Sequence, residues 1–136
     1  MKKLPVLDTN IIIRFLTGDS LGQADKVEKL LNSSPKNSLS LPDIVVVEIA
    51  YVLLSLYKLS KEDVIEKLET LVEVKSVKCN INLIKRSLDI FKDNNISFVD
   101  AYLCAEILGK NNILYTFDKR LIKVLGSRAI ESGGTR

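Results

Sequence analysis

Leu4-Pro5-Val6-Leu7-Asp8-Thr9-Asn10-Ile11-Ile12-Ile13-Arg14-Phe15-Leu16 is the stretch that decides the fold class. Its first four residues read as a short buried strand, and Asn10 to Leu16 as a compact helix broken at Gly18. The chain thus passes from strand to helix at one carboxylate, Asp8. Ligands of open parallel sheets bind at the carboxyl ends of strands, so an acid at this junction is well placed for function. The bland alternative is a helix N-cap.

The same transition recurs near the other end. Ile113-Leu114-Tyr115-Thr116 is a clear strand, followed by Asp118 and a short helix from Lys119 to Leu125. Between the two, strand-like and helix-like segments alternate. Apolar residues at Leu21, Ala24, Val27, Leu30 and Leu31 have helical spacing. Ser33 to Asn37 is a loop, and Ser38 to Leu41 a second strand stopped by Pro42. Asp43 is placed to cap a long apolar helix from Ile44 to Tyr57, and Ser60 opens another that runs to Val72. Lys75 to Cys79 is a third strand, and helices follow over Asn82–Lys92 and Val99–Leu108, the latter ending at Gly109. Alternation of this kind predicts an α/β domain with a mostly parallel sheet. The expected domain covers residues 1–126, and 127–136 form a short tail, polar and glycine-rich from Glu131 and expected to fray.

Four carboxylates stand beside or inside apolar runs: Asp8, Glu48, Asp100 and Asp118. Glu48 and Ser55 are the only residues outside the apolar set between Ile44 and Leu56. A helix that apolar is expected to be buried on nearly all faces, and an unpaired carboxylate within it must meet a cation. Asp100 interrupts Phe98-Val99 and Ala101-Tyr102, and it and Asp118 share with Asp8 the capping alternative. Glu106, six residues beyond Asp100, points elsewhere on its helix and reads as a surface or rim residue. Hard divalent cations take oxygen ligands, and converging carboxylates hold them next to phosphate. The four acids therefore predict one shared metal site.

Composition narrows the chemistry. The chain has 136 residues, of which 46% are hydrophobic, enough to bury the core of one domain. It contains no histidine, which excludes imidazole acid–base catalysis, serine or cysteine triads and histidine-ligated zinc. Net charge is +3, and with four acids set in one pocket, 13 would remain against 20 Lys and Arg. Such a mildly basic shell suits a polyanionic substrate, and an ordinary soluble surface equally well. Cys79 and Cys104 lie in apolar segments and read as core thiols of a reducing cytosol. No signal peptide is visible, and the longest apolar stretch, Ile44 to Leu59, is 16 residues, short of the ~20 needed to span a bilayer. The expected location is the cytoplasm, away from membranes.

Four motifs taken together resemble the PIN domain. They are Leu7-Asp8-Thr9-Asn10-Ile11-Ile12-Ile13-Arg14, Val46-Val47-Glu48-Ile49, Phe98-Val99-Asp100-Ala101 and Thr116-Phe117-Asp118. They occur in the family's order and spacing, over residues 4 to 125, and are most similar to the VapC-type toxins of toxin–antitoxin pairs. The resemblance implies a three-layer α/β/α fold with a parallel sheet of four or five strands. It also implies a Mg²⁺- or Mn²⁺-dependent endoribonuclease, often a homodimer, held inactive by a small antitoxin protein. Asp8, Glu48, Asp100 and Asp118 match the acidic quartet that is both catalytic and metal-binding, and Thr9, Asn10 and Thr116 the polar positions that support it. Water would attack the scissile phosphate of RNA in line, leaving 5′-phosphate and 3′-hydroxyl ends by the resemblance. Arg14, Lys119, Arg120 and Lys123 flank the motifs and are candidate phosphate contacts, or simply solvated helix charges. One departure stands out: Gly126-Ser127-Arg128-Ala129-Ile130 leads into the tail, so the usual last strand is expected to be short or missing.

Two rival readings share parts of this pattern. A catalytically quiet PIN-like module that binds RNA or protein has no use for clustered carboxylates, and a non-toxin RNA-processing nuclease would share the chemistry. A haloacid-dehalogenase-type phosphatase needs a second Asp two residues after the first, where this chain has Asn10.

Overall fold

The structure is a computed structural model and describes residues 3–131. Met1, Lys2 and residues 132–136 of the expected tail lie outside the described residues. Packing divides the chain into two compact units, residues 1–80 and 81–136, and each is described by itself.

In the first unit, Leu7 N donates to Ser40 O and Ser40 N to Pro5 O, each at 2.8 Å, which sets the opening segment parallel to β1 (Leu39–Ser40). The regular pairing is a single bridge, Val6 to Ser40. This segment is not wholly buried as its composition suggested: Leu7 is buried, and Val6, on the opposite side, is exposed. β1 pairs in parallel with β2 (Val77–Lys78) in the register Leu39–Val77 and Ser40–Lys78. A buried serine fastens the strands to the helices, since Ser76 Oγ donates to Leu31 O at 2.7 Å.

The helices of this unit follow local chemistry closely. α1 (Thr9–Thr17) is capped by Asp8 and ends at Gly18, whose φ of +64° is the left-handed conformation open to glycine. α2 (Leu21–Ser33) and α3 (Asp43–Ser55) both pack on α1, and α4 (Lys61–Val72) packs on α3. Ser60 caps α4 as expected, accepting from Asp63 N at 3.1 Å. The cap of α3 is corrected by one residue: Pro42 holds that position and Asp43 lies in the first turn. There its charge favours the helix dipole, and proline's fixed φ suits the turn into the helix.

The larger correction concerns α3. Its composition predicted burial on all sides, yet it buries one stripe, Val46, Ile49, Ala50 and Leu53, and leaves Ile44, Glu48 and Tyr51 exposed. Both rows have helical spacing, and the exposed one is mostly apolar, which is why the pattern of polarity did not reveal it.

The second unit is built on α5 (Ile81–Asp93) against α6 (Phe98–Gly109). Phe98 links them: its ring stands edge-on to Phe91 at 5.5 Å between centroids and lies 5.7 Å from that of Tyr102. α6 buries Phe98, Ala101, Tyr102, Cys104, Ala105 and Ile107. β3 (Leu114–Tyr115) leads into α7 (Lys119–Leu125), then a 3-10 turn over Gly126–Arg128 and β4 (Ala129–Ile130). β4 pairs in parallel with β3, Leu114 with Ala129 and Tyr115 with Ile130. The last strand is therefore present and short.

Strands and helices alternate and every strand pairing is parallel, so the chain is a helix-rich α/β protein. The ladders are two-residue pairs, β1–β2 and β3–β4, within the longer strands that the sequence suggested.

Candidate active site

Thr9 organises the acids of the first unit. It is buried at the start of α1, where the first amides lack helical partners. Its amide donates to Asp8 Oδ1 at 2.8 Å, and its hydroxyl donates to Glu48 Oε1 on α3. One residue thereby brings two carboxylates from separate elements together. Asp8 and Glu48 are both exposed. This overturns the expectation that Glu48 sits buried and must meet a cation: with its carboxylate open to water, no desolvation penalty demands a counter-charge.

Asn10 and Arg14 follow Asp8 along α1. With Lys26 and other residues of α2 they line a groove of about 450 Å³ that also includes Asp8. Arg14 is half-buried, and its Nε donates to Gln23 Oε1 at 2.8 Å. Its guanidinium is 4.0 Å from Asp19. Sequence reading singled out Arg14 and missed Gln23 and Lys26, although their spacing with Val27 marks one face of α2.

In the second unit the capping alternative is resolved differently for each acid. Ser97 caps α6, its Oγ accepting from Asp100 N at 3.1 Å, so the Asp100 carboxylate is not needed for that bond. Ser97 was missed, though a serine three residues before an acid is a recognisable helix start. Asp118 does cap its helix: Oδ1 accepts from Arg120 N at 2.8 Å. Its own amide donates to Thr116 Oγ1 at 3.0 Å, a local turn bond that leaves the Thr116 hydroxyl without a carboxylate contact among the described residues. A cap occupies one lone-pair site of a carboxylate that has about four, so capping and ligation are compatible.

Cys104 reports on both acids. Burial pushes its thiol up to about 11, and the charges of Asp100 and Asp118 add to that rise. Cys79, by contrast, is half-buried rather than a core thiol; burial raises it too, with a smaller push from Asp43.

The flanking cations are exposed and loosely engaged. Lys119 Nζ is 3.3 Å from Glu131, Arg120 Nε is 3.6 Å from Asp118 Oδ1, and Lys123 is exposed. Glu106 pairs with Lys110 at 3.5 Å along α6, the rim role expected of it.

The structure therefore joins Asp8 with Glu48 through Thr9, and sets Asp100 and Asp118 each at the start of its own helix. Among the described residues, no three His, Cys, Asp or Glu side chains are grouped to hold a metal ion. The donor chemistry, carboxylate oxygens that are exposed at Asp8 and Glu48 and half-buried at Asp100 and Asp118, suits a hard divalent cation and no soft one. No helix among the described residues is long and apolar enough to cross a membrane.

Comparison with curated proteins gives no match. Residues 6–126, most of the chain, match the PIN domain, a span that includes all four acids. The helix-rich α/β architecture with short parallel strand pairs agrees with the α/β/α fold of that family. PIN domains are generally nucleases acting on RNA, and this chain belongs to the PIN-domain family.

Proposed function

We propose that the protein is a Mg²⁺- or Mn²⁺-dependent endoribonuclease, the toxin of a VapBC-type toxin–antitoxin pair, with residues 1–126 as its nuclease domain. The observation that carries this reading is the joining of acids from separate elements: Thr9 holds both Asp8, at the start of α1, and Glu48, on α3. Asp8, Glu48, Asp100 and Asp118 are the carboxylates that would hold divalent metal, which when bound polarises phosphate and lowers the pKa of water.

The remaining work falls to this chain's own side chains. Thr9 fixes where the Asp8 and Glu48 oxygens sit, and Thr116 orients the turn that presents Asp118. Asn10 lines the groove beside Asp8. Arg14 in that groove, and Lys119 and Arg120 after Asp118, would neutralise phosphates flanking the scissile bond. The absence of histidine leaves carboxylates as the proton acceptors, consistent with hydrolysis that needs no 2′-hydroxyl.

A protein partner is supported by the exposed apolar row of α3, Ile44 at 75% and Tyr51 at 62% exposure. Rows of this kind fit an antitoxin or a second copy, and the cytoplasm, where reduced thiols and cellular RNA meet, is the expected compartment. An RNA-processing nuclease would share the chemistry; a small antitoxin gene directly upstream distinguishes the toxin.

The test is incubation of the purified protein with total RNA and Mg²⁺ or Mn²⁺, with EDTA and Asp100→Asn as controls. Cleavage that disappears in both controls is the expected result. Cleavage that survives both, or none with either metal, would remove the nuclease reading.

A further inference from the structure

We propose that Tyr115 and Phe117 form a stacking platform for unpaired RNA bases beside Asp118. The inference rests on the nuclease reading and extends it from the phosphodiester to the base. Tyr115 is 72% exposed and Phe117 71%. A single exposed apolar side chain is ordinary, but these two are aromatic and two residues apart, directly before the helix that Asp118 caps. Tyr115 ends β3, where Thr116 N donates to Ile130 O at 3.0 Å, and Phe117 follows in the turn into α7. Between them the Thr116 hydroxyl accepts from the backbone of Asp118, so it does not cover either ring.

The cationic residues just beyond these rings favour RNA as the occupant. Lys119 and Arg120 come directly after Asp118, exposed and held only by surface ion pairs of the kind that compete poorly with phosphate. Single-stranded nucleic acid is bound where aromatic faces take the bases and cations track the backbone. Tyr115 to Arg120 supplies both within six residues, with a candidate catalytic carboxylate between them. A protein surface covering the rings would not need that cationic flank.

The test measures binding of a short fluorescent oligoadenylate, and of an abasic oligonucleotide of equal length, in EDTA. Tyr115→Leu and Phe117→Leu keep apolar bulk and lose the π face. Each should bind oligoadenylate about fivefold to a hundredfold more weakly and the abasic strand as the wild type does, while Tyr115→Phe and Phe117→Tyr stay near wild type. Unchanged binding, equal losses on both strands, or no binding by the wild type would overturn the platform. So would leucine variants that turn a dimer into a monomer in sedimentation and still bind RNA normally, since the rings would then face a second copy. Cleavage in Mn²⁺ separates the two readings: variants that cleave and bind like wild type remove only the platform, whereas a wild type that discriminates the strands but never cleaves removes only the nuclease.

Discussion

Asp8 and Asp118 each do a structural job, accepting a backbone N–H at a helix start, and that job can be separated from chemistry. Asparagine caps helices about as well as aspartate but carries no charge for a cation. Asp8→Asn and Asp118→Asn should therefore melt at nearly the wild-type temperature and lose activity about a hundredfold or more. Alanine at either position should cost about 1 kcal/mol in stability as well. Thermal melts run alongside RNA cleavage distinguish the cases, and an asparagine variant that cleaves normally would assign that acid to capping alone. Cys104 supplies a second residue-scale expectation. Its folded pKa is raised from the ordinary 9.0 to about 11 by burial, then by Asp100 and Asp118. A group with a raised folded pKa stabilises fully below its unfolded value, and that contribution is lost as pH climbs through the folded one. Stability measured by urea unfolding should fall between about pH 9 and 11 more steeply in the wild type than in Cys104→Ala. Parallel slopes would show that the thiol does not titrate as its surroundings dictate.

α3 shows how an element can be amphipathic without polar contrast. Leu53 is fully buried and Ile44 is 75% exposed, though either would be chosen as a core residue from the sequence. Leu53→Ala should cost about 2–5 kcal/mol, whereas Ile44→Ala should stay within about 0.5 kcal/mol. Denaturant midpoints of the two variants measure this difference. A large loss at Ile44 would mean that its face is covered in solution, as the partner reading expects of a stable dimer. The same element explains why the premise on which Glu48 was singled out, burial, fails. It stands out because its neighbours are apolar, but it is accessible because those neighbours divide between two faces. β4 makes the opposite point: glycine and charge around Ala129 and Ile130 obscured a strand that exists because β3 offers it parallel backbone partners.

At the scale of the molecule, the like charges of Asp8 and Glu48, both held by Thr9, repel, and a bound cation would relieve that repulsion in the folded state alone. Millimolar Mn²⁺ or Mg²⁺ should therefore raise the melting temperature, and Asp8→Asn should abolish most of the rise; a ligand at a hundred times its Kd stabilises by about 2.7 kcal/mol. A melting curve unmoved by either metal would count against the proposed metal binding by these carboxylates. Much of this protein was legible in its linear order. Asp8, Ser60 and Gly18 act through bonds within a turn of their own position, so local chemistry suffices to place helices that begin or end there. The alternation of strands and helices, and the acids at their junctions, likewise survive without coordinates. What only the tertiary structure decided is which side of an apolar helix is covered, which acids share a partner, and which surfaces stay open. Thr9 reaches Glu48 across 39 positions of sequence, and neither residue carries a mark of the other. Burial and long-range hydrogen bonding depend on what packs from elsewhere in the chain, and that information belongs to no single segment.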